Sequence, residues 1–213
     1  KYRHLAPAKP GKKIDRLVSF VDFAPTVLSL LGITPPDYMQ GTAFLGPSAG
    51  HQREYVFGAR DRVDEAYDMA RSVRDKRYLY IRNYKPHVSY NQPSAYSDLG
   101  EIRGNITTLA RDGQLKPAQH HYAGPRRAVE ELYDTHNDPQ NLRNLAGSKQ
   151  HRDILVRLRR AQSDWCTDTI DLGYLPEFEA GRLSQGSTPF ETARTPNAYP
   201  LQKIREIAGL VGV

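Results

Sequence analysis

Apolar residues along this chain fall into a few short periodic runs separated by long polar stretches. The clearest run lies at residues 22–32. There Phe23, Val27, Leu30 and Leu31 recur at i, i+4, i+7 and i+8, the spacing of one helix face. Asp22 stands where an N-cap would, Pro25 falls in the first turn where its missing N–H costs nothing, and Gly32 closes the element. A helix is predicted here. A Pro/Lys/Gly-rich surface loop over 1–16 precedes it, and a loop with Pro35-Pro36 over 33–52 follows.

Strand composition comes next. Glu54 to Ala59 is rich in β-formers, and the runs Tyr67 to Asp75 and Arg77 to Tyr84 flank a tight reversal at Asp75-Lys76, so they predict an antiparallel hairpin. In the second run Tyr78, Tyr80, Arg82 and Tyr84 share one face, and Leu79 and Ile81 share the other. Residues 85–127 have weak periodicity, with one candidate helix near Ile106 to Ala110. A loop this long is usually functional or disordered. Glu130 to Asp134 reads as a short strand. Ser148 can cap a helix from about Lys149 to Trp165, with Ile154, Leu158, Ala161 and Trp165 as its apolar stripe. Residues 168–200 read as loop, and Leu201 to Leu210 as a short terminal helix. There is no internal repeat and no low-complexity tract.

Composition narrows the picture. The chain has 213 residues, 38% hydrophobic and 25% charged, which suits a modest core wrapped in polar loops. No apolar run approaches the length of a membrane span, and residues 1–4 (Lys-Tyr-Arg-His) carry neither a signal-like apolar segment nor an initiator Met. The chain therefore reads as beginning mid-protein. A net charge of +6 and a pI near 9.4 favour polyanions. The basic residues (Lys12-Lys13, Arg126-Arg127, Arg157 to Arg160) are scattered without a recognition motif, so nucleic acid is not expected. The single Cys166 excludes an internal disulfide.

No P-loop, dinucleotide fingerprint, zinc-binding cysteine pair or nucleophile elbow is present. His120 and His121 are adjacent, so on an extended chain they would point to opposite faces and could hardly chelate one ion. The densest ionisable block is Arg60-Asp61-Arg62-Val63-Asp64-Glu65, read as a loop after a strand. Arginine forks bind sulfate or phosphate oxygens in pairs, and carboxylates can orient them or accept sugar hydroxyls. A salt-bridged surface turn would have the same composition.

Several segments together resemble the sulfatase family. Asp15-Arg16-Leu17-Val18-Ser19-Phe20-Val21-Asp22-Phe23-Ala24-Pro25-Thr26-Val27-Leu28 is similar to its V-S-x-V-D-x-A-P-T-x-L segment, and Leu31-Gly32-Ile33 continues the match. Met39-Gln40-Gly41 follows. Arg71-Ser72-Val73-Arg74-Asp75-Lys76-Arg77-Tyr78 looks like the family's R-x-V-R-x-x-R-Y hairpin. Glu131-Leu132-Tyr133-Asp134, Asp138-Pro139 and Asn144-Leu145-Ala146 resemble its closing E-L-Y-D…D-P…N-L-A. The Arg60 block and Asn83-Tyr84-Lys85-Pro86-His87 resemble a bacterial branch related to sulfoglucosamine sulfohydrolases and glycan sulfatases.

The resemblance implies an α/β fold: the C-terminal portion of an alkaline-phosphatase-like sulfatase, with a small antiparallel sheet packed on a C-terminal helix. Residues 1–60 would be the last elements of the N-terminal catalytic domain, 61–167 the C-terminal subdomain, and 168–213 a tail or linker of the kind that leads to helical repeats. It implies sulfate ester or sulfamate hydrolysis by a formylglycine nucleophile with Ca²⁺. It also implies a missing N-terminal catalytic domain as partner, a sulfated glycan as substrate, and a periplasmic or extracellular setting. The C/S-x-P-x-R nucleophile motif is missing here: Cys166 lacks the Pro and the Arg, and Ser187 lacks the Arg. The calcium ligands are expected upstream, so the chain alone is expected to be inactive. Arg60, Asp61, Arg62, Asp64 and His87 are the expected substrate-side residues. A phosphodiesterase or phosphonate hydrolase of the same superfamily, or a standalone anionic-glycan-binding module, are the alternatives.

Overall fold

The computed structural model describes residues 3–211 and divides into two compact units. One runs to Phe57 and includes Arg74–Arg77. The other comprises Gly58–Val73 and the chain from Tyr78 onward.

The first unit is organised around Asp22, which stands at the N-cap position of α1 (Phe23–Leu30) but makes no side-chain cap bond to it. Its carboxylate accepts the amide N–H groups of Ser19 (2.9 Å) and Thr42 (2.8 Å) and the Nε of Arg53 (2.7 Å), whose Nη2 also donates to it. Burial alone would raise the Asp22 carboxyl, but Arg53 and the two amides outweigh it and hold it below the ordinary aspartate value. Gly41 is needed because a Cβ there would stand 1.9 Å from the Val21 carbonyl oxygen. The buried side of α1 is not the predicted stripe. Pro25, Thr26 and Ser29 are buried, whereas Phe23, Val27, Leu30 and Leu31 are exposed. Hydroxyls select this side: Thr26 Oγ1 accepts the Phe44 N–H and Ser29 Oγ the Ser48 N–H, which ties the following loop to the helix.

The second unit carries a sheet in the order β1 (Val56–Val63), β2 (Ala66–Arg74), β3 (Tyr78–Asn83), β4 (Glu130–Asp134). Strands β3 and β4 are antiparallel, with Tyr80 opposite Leu132 and Arg82 opposite Glu130. The expected hairpin with its reversal after Arg74 is present. However, β1 extends through Val63, so most of the block read as a loop is strand, and Asp64-Glu65 makes a second tight turn.

Helix α4 (Arg152–Asp168) lies beside β3, on the face that carries Tyr80 and Leu132. Its buried residues are Leu155, Leu158, Gln162 and Cys166. The predicted stripe shares only Leu158; Ile154, Ala161 and Trp165 are half-buried at its margin. Hydropathy pointed to the wrong edge because the buried face includes the polar Gln162, whose amide donates to Cys166 Sγ at 3.5 Å. Leu158→Ala should therefore cost about 2–5 kcal/mol, and Ile154→Ala distinctly less. Urea denaturation of the two variants checks this, and equal losses would restore the hydropathy stripe.

The long stretch between β3 and β4 holds α2 (Glu101–Arg111) and α3 (Pro117–Ala123). His120 and His121 therefore sit on a helix rather than an extended segment. Residues 168–200 are not loop throughout: α5 (Glu177–Leu183) and α6 (Pro189–Arg194) form there, and α7 (Leu201–Gly209) follows as expected. Tyr174 and Tyr199 from this region are buried. No helix among the described residues is long and apolar enough to cross a membrane.

Candidate functional site

The β1–β2 hairpin places the ionisable block. Successive strand residues point to opposite faces, so Arg60 and Asp61, adjacent in sequence, enter different environments. Asp61 turns to the fully buried Arg71 (Nη1–Oδ1 2.8 Å), whose guanidinium also donates to both carboxylate oxygens of Asp171 (2.5 and 2.9 Å). Tyr174 lies under the same guanidinium at 5.2 Å, and Tyr199 donates to the Asp171 carbonyl at 2.6 Å. Burial raises the Asp61 carboxyl against the pull of Arg71, with Asp171 and Asp68 adding to the rise. Arg71 itself is held more firmly protonated: burial opposes its charge, but Asp171 and Asp61 outweigh it.

Arg60 faces Asp68, whose side chain is fully buried. Asp68 accepts Arg127 Nη1 at 2.9 Å, also accepts Nη2, and binds its own neighbour's amide, Met69 N–H, at 2.7 Å. Arg60 Nε stands 3.3 Å from Asp68 Oδ2 but is misaligned, so it is buried without a hydrogen bond. Arg127 also donates to the Lys85 carbonyl (3.2 Å), and its backbone N–H donates to Pro86 O (3.0 Å). This fixes the loop that carries Lys85 and His87. Lys85 Nζ rests 3.9 Å from the Tyr67 ring centre, and burial lowers its pKa despite the nearby Asp68 charge. Three cations thus share one carboxylate, and the Arg60 side chain is 37% exposed. An anion from solution would balance that excess.

The remaining expected residues are more scattered. Arg62 Nε donates to Glu177 (3.0 Å) and Nη1 to the Asp64 carbonyl (2.9 Å), both exposed. Asp64 occupies the turn at φ 49°, a conformation that Asp tolerates better than most residues. His87 is exposed. The structure therefore gathers Arg60 and the His87 loop at Asp68, leaves Arg62 and Asp64 at the hairpin tip, and sends Asp61 to Arg71. Asp68, Lys85 and Arg127 were not among the sequence candidates. Lys85 lay inside the quoted Asn83–His87 segment, but nothing in the pattern joined it to Asp68 or Arg127.

A second polar centre lies on Glu131, which is buried. It accepts the hydroxyls of Tyr90 and Tyr133 (both 2.7 Å) and the Asn83 amide (2.8 Å). Burial, reinforced by Glu131, keeps both tyrosines protonated well above their ordinary range. Cys166 is also buried, and burial pushes its thiol up to about 11, which does not suit a nucleophile. Among the described residues no three His, Cys, Asp or Glu side chains converge to hold a metal ion.

No family profile matches the chain. It is 42% identical over 173 residues to an ulvan-active sulfatase of Formosa agariphila, covering 81% of this chain and 29% of that protein. A second ulvan-active sulfatase of the same organism is 29% identical over 165 residues, covering 74% and 30%. Human N-sulphoglucosamine sulphohydrolase is 28% identical over 181 residues, covering 78% and 35%. A solved 2-O GAG sulfatase superposes with a TM-score of 0.49 at 23% identity over 75% of this chain and 27% of that one. The chain spans about a third of the length of these curated relatives, the share expected of a C-terminal part. Its order of sequence motifs and its run of similarity to these relatives place the chain in the sulfatase family.

Proposed function

We propose that the chain is the C-terminal part of an exported sulfatase that acts on a sulfated glycan, and that Arg60, Arg62 and His87 meet the substrate, with Asp61 and Asp64 orienting the hairpin. The observation that carries this reading is the excess of cations at Asp68, where Arg60 presents a half-exposed guanidinium beside Lys85. Such a group suits a sulfate or carboxylate on a sugar. The 42% identity to an ulvan-active sulfatase supports a glycan over other sulfate esters and over a phosphodiester.

The nucleophile and calcium would then be held by the remaining two-thirds of the protein. The uncovered apolar side of α1, with Phe23, Val27 and Leu31, supports that part as a partner. In the complete protein, Arg60→Ala should lower kcat/KM about tenfold or more on a sulfated oligosaccharide and leave an aryl sulfate nearly untouched, because the small substrate never had the remote contact. Arg62→Ala should act in the same direction. Equal losses on both substrates with a lower melting temperature would make the hairpin purely structural, and aryl sulfate turnover by the 213-residue chain alone would overturn the assignment of catalysis to the remaining part.

A further inference from the structure

We propose that the cleft between β3, α4 and α7 binds a singly acidic saccharide, with its acid group on Arg82 and Arg205. The cleft is an open volume of about 700 Å³ and shares no lining residue with the Asp68 cluster. That volume falls in the range of small-ligand sites and is far larger than a lone anion requires.

The charge of the cleft defines the ligand. Arg159 is neutralised by Glu130 through two bonds of 2.8 and 2.7 Å. Arg82 and Arg205 make no ion pair among the described residues. Arg82 instead donates Nη2 to the Gly209 and Val211 carbonyls (3.1 Å each), which caps the C-terminal end of α7. Arg205 reaches across to α4, donating to Thr167 Oγ1 (2.5 Å) and Ser163 Oγ (2.7 Å). Both guanidinium groups are thus held by neutral oxygens that set their positions, and Arg82 also acts on Glu130, its cross-strand neighbour, which Arg159 already pairs.

One further carboxylate lines the cleft, Glu206, which accepts from Gln202 at 3.2 Å. The three arginines Arg82, Arg159 and Arg205 against the two carboxylates Glu130 and Glu206 leave room for one added negative charge. A polyphosphate would meet Glu206 and Glu130 unfavourably. The hydroxyls and amides of Ser163, Thr167 and Gln202 and the acceptor oxygens of Glu206 match sugar hydroxyls better than an aliphatic chain. The inference needs no hydrolytic chemistry and stands apart from the function proposed above.

The test uses the complete protein, a disaccharide containing one glucuronate, and the neutral disaccharide with glucose in its place. Calorimetry should show the acidic sugar binding at least tenfold more tightly than the neutral one, and amide hydrogen exchange should slow over residues 201–211. Arg205→Ala should weaken the acidic sugar at least tenfold and abolish that protection. Should Arg205→Ala fail to fold, Arg205→Gln keeps a donor towards Ser163 and must show the same loss. Absence of binding, equal affinity for both sugars, protection that omits α7, or unchanged affinity in the folded Arg205 variant would each overturn the proposal.

Discussion

Arg71→Met should destabilise the protein by about 3–5 kcal/mol, because it leaves the nearly buried carboxylate of Asp171 and the part-exposed one of Asp61 without their cation. Arg71 is fully buried and touches both through four contacts, the longest at 3.3 Å. Methionine fills much of the volume, so lost packing contributes little and the unpaired charges dominate. For a chain of this size the loss corresponds to a melting temperature lower by roughly ten degrees. The pH dependence gives a second signature. Burial already raises Asp61, and without Arg71 nothing would oppose that rise, so its folded-state pKa would stand well above its unfolded one. Such groups favour folding at pH below the unfolded value and oppose it as pH rises through the folded value. The gap between Arg71→Met and the parent should therefore narrow on acidification towards pH 4, and adding Asp61→Asn with Asp171→Asn should recover part of the loss at neutral pH. A constant gap across pH would show that Arg71 acts through packing alone.

Asp68→Ala is expected to cost a similar 3–5 kcal/mol, for the opposite reason: it strands cations. The Arg127 side chain is only 2% exposed, and without Asp68 it would be buried beside the part-exposed Arg60 and Lys85 with no counterion. Asp68→Asn should cost less, since its amide oxygen can still accept from one guanidinium nitrogen and from Met69 N–H. Added sulfate at tens of millimolar should raise the melting temperature of Asp68→Ala more than that of the parent, because an anion can enter where the carboxylate was. Thermal denaturation with and without sulfate measures this. A cost below about 1 kcal/mol would mean that solvent already screens the cluster.

Much of the fold was legible from local patterns. The hairpin with its turn at Asp75-Lys76, the strand at Glu130–Asp134, the helix after Ser148 and the terminal helix all appear near the positions that composition and periodicity indicate, although Ser148 makes no side-chain cap. These features depend on neighbours within one turn or one strand pair, and so the chain itself encodes them. The helices between 177 and 194 escaped notice because they are short and polar. Capping such as Thr188 with Glu191 (3.2 Å) supplies a local signal, but no apolar stripe accompanies it.

Which side of an element is buried was a different matter. On α1 the hydroxyls of Thr26 and Ser29 are covered and Phe23, Val27 and Leu31 are not, the reverse of the reading from hydropathy. On α4 the polar Gln162 replaces Ile154 in the interior. Burial follows the partner surface, and hydropathy reports only a preference for having one.

The same division holds for the site. The sequence alone identified the family, the Arg60–Glu65 block and the Asn83–His87 segment, because these are contiguous motifs. It could not separate Arg60 from Asp61, since only pairing with β2 makes the block a strand whose side chains alternate between faces. Nor could it join Asp68 to Arg127, or Arg71 to Asp171, residues 59 and 100 positions apart. Charge pairs of that separation form only when the sheet and its flanking loops close around them. In the buried interior each guanidinium takes the carboxylates that the fold brings within reach, wherever they lie in the chain.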